Sequence, residues 1–160
     1  TVKACKMGAN STVVKTKSAT GSNVGGFIGE IVAGTVLIED SYNATKVTNT
    51  ETASPDKVGG ICGKVAEGVS FTITRCYVSA SVTLTKSASG AAVADAILAS
   101  GSAAVTDTYF DKAAKKTSTG AIKFASDAWP TWSVGAAWGS IGAYGDGGAA
   151  IVYPKLSWEQ

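Results

Sequence analysis

The stretch Val24-Gly25-Gly26-Phe27-Ile28-Gly29-Glu30-Ile31 returns 34 residues later as Val58-Gly59-Gly60-Ile61-Cys62-Gly63-Lys64-Val65. A chain that repeats itself at such a period builds stacked copies of one small unit. Gly34 matches Gly68 at the same offset, and Asp40–Val47 matches Arg75–Val82 at an offset of 35, so one residue is inserted near Val69. A third, degenerate copy follows at an offset of 67. On that offset Leu98, Gly101, Val105, Asp107, Thr108 and Tyr109 answer Ile31, Gly34, Ile38, Asp40, Ser41 and Tyr42, and the motif glycines become Ala92, Val93 and Ala96. A partial copy opens the chain, where Ala4–Ala9 resembles the stretch around Cys76.

Within each copy the pattern is strand. Val36 and Ile38, then Phe71 and Ile73, alternate with polar neighbours at a period of two. The alanines of 91–99 would suit a helix, but the repeat alignment predicts strand there too. A unit of this size cannot bury its apolar face alone, and stacking supplies the partner face. Composition agrees, because Ala, Gly, Thr and Ser together make up 80 of the 160 residues. Small residues suit tight corners and a thin core of stacked rows. The expected fold is therefore all-β, a parallel β-helix or solenoid of about three coils over residues 1–110, with residues 111–160 as an aromatic closing segment.

The residues at 24–29 and 58–63 resemble the GLUG motif of bacterial surface proteins. Cys76-Tyr77-Val78-Ser79 is similar to the Cys-Tyr-Ala-Thr segment that often follows that motif, and Tyr153-Pro154-Lys155-Leu156-Ser157-Trp158 is similar to an ending found in such proteins from gut bacteria. The resemblance implies β-helix-like repeats in an adhesin-like module, extracellular or on the bacterial cell surface. It implies a host protein or a glycan as partner and no shared active site, while the incomplete opening copy leads to the expectation of further domains upstream.

Several function classes are disfavoured by the residues themselves. The chain has no histidine, the commonest general base and metal ligand. A net charge of +2 with one arginine is too weak a basic balance for nucleic-acid binding. No apolar run is long enough for a membrane-spanning helix. Three cysteines cannot form a complete disulfide framework: Cys5 and Cys76 fall two copies apart, while a Cys62–Cys76 bridge stays open. No zinc cluster is spaced for four ligands, and neither Gly25-Gly26 nor Gly142–Gly148 has the flanking elements of a phosphate loop. The expectation is thus no catalytic residue, no cofactor and no metal.

Two features could contact a ligand. The alignment puts Asp40, Arg75 and Asp107 in one column, either as an acid pair with a positioning arginine or as a charge ladder between copies. Glu39 and Asp40 should face opposite sides of a strand, and Glu51, Asp56 and Glu67 read as solvated turn residues. The short basic run Lys112, Lys115 and Lys116 reads as a solvated turn or short helix. All four tryptophans, Trp129, Trp132, Trp138 and Trp158, lie in the last 32 residues. They should cover the open end of the stack, or Trp129 and Trp132 should offer a stacking platform to sugar rings. The runner-up function is accordingly a carbohydrate-active β-helix that binds or cleaves a polysaccharide.

Overall fold

The computed structural model of the chain describes residues 1–15, 22–49, 56–79, 81–84, 93–111, 120–145 and 149–160. The basic run Lys112, Lys115 and Lys116 lies outside them, as do Glu51 and Ala92. The opening partial copy supplies β1 (Val2–Lys3), β2 (Lys6–Met7) and β3 (Thr12–Lys15). The first full repeat supplies β4 (Asn23–Gly25), β5 (Ile28–Ile31), β6 (Thr35–Glu39), β7 (Tyr42–Asn43) and β8 (Lys46–Asn49). The second supplies β9 (Lys57–Gly59), β10 (Cys62–Val65), β11 (Ser70–Thr74), β12 (Tyr77–Val78) and β13 (Val82–Leu84). The third supplies β14 (Val93–Asp95), β15 (Leu98–Ser100), β16 (Ala104–Thr106) and β17 (Thr108–Phe110). Beyond it come β18 (Ala121–Lys123), β19 (Trp138–Ser140) and β20 (Lys155–Leu156).

The protein is all-β, and every pairing among β1–β18 is parallel. Each strand pairs with its counterpart in the next repeat. This gives sheets ordered β1-β6-β11-β16, β5-β10-β15, β2-β7-β12-β17-β18, β3-β8-β13 and β4-β9-β14. The offsets read from the sequence are the registers observed between the first two repeats. Val24 lies opposite Val58 and Ile31 opposite Val65 at 34, while Ile38 lies opposite Ile73 and Tyr42 opposite Tyr77 at 35. The segment with high alanine content is strand, in β14 and β15, as the alignment predicts.

The third repeat departs from a uniform offset of 67. Its second half keeps that offset, with Val105 opposite Ile73 and Tyr109 opposite Tyr77. Its first half does not: Leu98 stands opposite Cys62 and so in the column of Ile28, not Ile31. Likewise Asp95, not Ala92, occupies the column of Gly25 and Gly59. The cause is a shortened corner. Six residues lie between the paired positions Glu30 and Leu37, seven between Lys64 and Thr72, and three between Ser100 and Ala104. Stacking preserves the strands, and the loop at the corner absorbs the deletion.

The core is a set of apolar columns. Ile38 and Ile73 are fully buried between Val2 and Val105, and Val47 and Val82 continue Val13. The glycine pairs fit the tightest part of it. A Cβ at Gly26 would overlap the amide of Asn43, a buried side chain that donates to the Gly60 carbonyl at 2.7 Å. Its Oδ1 accepts the Thr45 N–H, also at 2.7 Å, so the buried amide is paired at both ends. The glycines serve close packing, as the absence of a phosphate-loop context suggests.

The closing segment differs from the sequence expectation. Residues 120–124 do extend the stack, because β18 adds a parallel strand beyond β17. Trp132 and Trp138, however, pack on the tyrosines of successive repeats. Tyr42, Tyr77 and Tyr109 form one column on the outer side of their sheet, and the segment packs along that column. Its last residues reach back to the opening strands, where Lys6 Nζ meets Glu159 at 2.7 Å and the Trp158 indole donates to the Ala4 carbonyl at 3.1 Å.

Candidate functional site

The corner after β6 carries the column singled out in the sequence. Ala4, Asp40, Arg75 and Asp107 all have positive φ, 49°, 49°, 49° and 45°, and Gly120 next in line has 85°. Left-handed backbone at a non-glycine residue costs roughly 1–2 kcal/mol, and the stacked strands on either side impose it. The turn breaks the alternation of the strand. Glu39 and Asp40 therefore do not point apart, which corrects the expectation for that pair. Both converge on Arg75, whose Nε donates to Asp40 Oδ1 at 2.6 Å and whose Nη2 donates to Asp40 Oδ2 at 2.9 Å and to Glu39 Oε2 at 3.2 Å. Lys3, from the opening copy, meets Glu39 at 3.0 Å and Asp40 at 3.9 Å. Asp107 shares the column but is exposed, and among the described residues it forms no salt bridge with Arg75.

Asp40 is only 3% exposed. Burial alone would raise its pKa. The hydrogen bonds and charge of Arg75, the Trp138 indole and Lys3 outweigh that, and hold the carboxyl below the usual 3.8. An acid held so firmly ionised cannot serve as a general acid near neutrality. Glu159 is depressed for parallel reasons: burial works upward, and Lys6, the Tyr42 hydroxyl and the Leu156 N–H work downward and prevail. For both groups the unfolded chain binds more protons than the native one on the acid side. Stability is therefore complete above the unfolded pKa values and falls as pH drops through the folded ones. Urea midpoints measured from about pH 6 to pH 2 should decline steeply below about pH 4. The double variant Asp40→Asn/Glu159→Gln should be less stable at neutral pH and show a flatter decline. An unchanged acid limb in the double variant would remove these two groups from the account.

The aromatic residues predicted as a platform are packed instead. Trp132 is 8% exposed, stacked on Trp138 with centroids 4.6 Å apart and set edge-on to Tyr109 at 5.6 Å. Trp129 is half-buried against Phe124 and donates its indole N–H to the Ile141 carbonyl at 3.1 Å. The structure thus brings Asp40 and Arg75 together with Trp132 and Trp138, and leaves Asp107 and Trp129 outside that group. Trp138 is the residue the sequence reading missed, since its indole donates to Asp40 Oδ1 at 3.2 Å. The signal that could have found it is the Tyr42–Tyr77–Tyr109 column, an outer aromatic stripe that needs cover.

Between the corner column and residues 132–138 lies a cleft of about 480 Å³. Lys3, Ala4, Asp40 and Arg75 line one side, and Trp132, Ser133, Ala136, Ala137 and Trp138 the other.

Other candidates resolve as structure. Cys5, Cys62 and Cys76 are all free thiols, so the Cys62–Cys76 bridge is not formed. Burial pushes the Cys62 thiol up to about 11 and the Cys76 thiol up to about 12, values of inert core cysteines. Asp56, expected at the surface, is 1% exposed, and its carboxylate accepts the Ser22 N–H at 2.7 Å. It binds two neighbouring repeats together, which a turn-like context in the sequence does not reveal. Among the described residues no group of three or more Cys, Asp or Glu side chains is placed to hold a metal ion. Nor is any helix long and apolar enough to cross a membrane. Comparison with protein-family models, curated proteins and solved structures gives no match to this chain.

Proposed function

We propose that the chain is a parallel β-solenoid acting as a non-catalytic, adhesin-like module, secreted or at a bacterial surface, that binds a host protein or a glycan. One observation carries this reading: Arg75 of the second repeat takes both carboxylate oxygens of Asp40 of the first. The column best able to supply a pair of reactive carboxyl groups is thus spent on joining repeats. The exposed Asp107 is left without an acid partner in the column, whereas glycoside hydrolysis uses two carboxyl groups flanking one bond. The solenoid part of the reading is supported by five parallel sheets, each running through successive repeats. The surface location and the adhesin role are supported by the GLUG resemblance of residues 24–29 and 58–63.

The test is a glycan array together with immobilised host extracellular-matrix proteins, probed with the intact protein and with Asp107→Ala. Asp107 is exposed, so its truncation leaves the fold intact. Saturable binding to one of these surfaces, with no release of reducing ends or unsaturated sugars, is the expected result. Turnover of a polysaccharide that disappears in Asp107→Ala would overturn it in favour of the carbohydrate-active alternative. Absence of binding to either surface would also count against it.

A further inference from the structure

We propose that the cleft between the corner column and residues 132–138 binds a neutral saccharide of one or two rings. The proposal rests on the reading of the chain as a binding module and names the ligand class of one site on it. Size is the first consideration: about 480 Å³ lies within the range of small-molecule sites. The walls are the second. Ala4, Ala136 and Ala137, with the largely buried Trp132 and Trp138 behind them, make an apolar side, and Arg75, Lys3, Asp40 and Ser133 supply polar groups around it. A sugar ring has the same division, with C–H groups on its faces and hydroxyls at its rim.

Charge selects among ligands. The cations Lys3 and Arg75 are matched by the carboxylates of Glu39 and Asp40, so this cluster has no net charge. It holds no surplus to attract an acidic saccharide, a phosphate or a cation. What remains is hydrogen bonding. Arg75 commits Nε and Nη2 to the two acids, and its Nη1 has no protein partner among the described residues. Its side chain is 37% exposed, so that nitrogen has a route to solvent. The Trp132 indole N–H has no partner among the described residues either, but its nitrogen is shielded from solvent, so this ring serves as wall and not as donor. A hydroxyl both donates and accepts, so it can add to paired ions without separating them. An anion at Arg75 Nη1 would instead place a third negative charge beside Glu39 and Asp40, against only two cations.

The experiment follows the indole N–H signals of the four tryptophans by NMR. The probes are maltose, cellobiose and lactose as neutral disaccharides and digalacturonate as the acidic one. A neutral disaccharide should move the Trp132 and Trp138 signals saturably while that of Trp129, bonded to Ile141 outside the cleft, stays in place. Ala136→Phe should fill the cleft and weaken this binding by about tenfold or more, with the melting temperature unchanged because Ala136 is exposed. Tighter binding of digalacturonate, no movement with any neutral probe, or binding unaffected by Ala136→Phe would each overturn the proposal. The two readings fail separately. Array binding that survives Ala136→Phe removes the cleft and leaves the module, whereas polysaccharide turnover removes the module reading whatever the cleft binds.

Discussion

Replacing Trp138 by alanine should destabilise the protein by about 3–5 kcal/mol, the range for truncating a fully buried tryptophan. The side chain is 1% exposed and is stacked on Trp132, with Tyr42 and Tyr77 at 6.5 and 6.0 Å. It also supplies the indole hydrogen bond to Asp40. At this chain length each kcal/mol moves the melting temperature by about 2–4 °C, so the drop should be roughly 6–20 °C. Trp138→Phe keeps most of the ring area and loses the donor. It should fall between wild type and alanine, and its deficit should shrink once Asp40 is protonated at low pH. Calorimetry with near-ultraviolet circular dichroism measures both. A drop below about 2 °C for Trp138→Ala would mean that the aromatic segment is not energetically part of the repeat stack.

Gly59→Ala should have an effect of comparable size for a different reason. A Cβ at Gly59 would overlap the Cys62 carbonyl oxygen and come within 2.9 Å of the Ile97 carbonyl oxygen. Both are backbone atoms held by strand pairing, so neither can rotate away. Forced overpacking costs about 1–3 kcal/mol where side chains can adjust, and more where they cannot. Gly68 makes the comparison, because it has φ of 76° and open space around its missing Cβ. Gly68→Ala should cost only the conformational strain, about 1–2 kcal/mol. Urea midpoints of the two variants separate steric from conformational demand. A shift for Gly59→Ala no larger than that for Gly68→Ala would show that the neighbouring carbonyls give way to the added Cβ.

What the sequence reveals here depends on whether neighbours are set by stacking or by the outer surface. The alignment of Val24 with Val58 and of Asp40 with Arg75 reads the registers directly, because identical roles on successive repeats require similar residues. The same logic fails at Leu98, where a loop deletion is invisible to an alignment carried as one offset. It also fails at Glu39 and Asp40, where alternation assumes extended backbone and the left-handed corner overrides it. Tyr42, Tyr77 and Tyr109 stand in one column of the alignment. Their consequence, an aromatic stripe covered by Trp132 and Trp138, depends on which face of the sheet is outward. Period-two alternation cannot tell the two faces apart in strands of two or three residues.

The contact of Glu159 with Lys6 spans nearly the whole chain, and so does that of Trp158 with Ala4. The tyrosine column does not exist as a surface until the first, second and third repeats have stacked, so the aromatic segment has nothing to dock on before then. Repeat pairing links residues about 35 apart and can proceed from neighbour to neighbour, whereas this last docking closes a loop of more than 150 residues. The final residues therefore complete a surface that every earlier repeat has already helped to build.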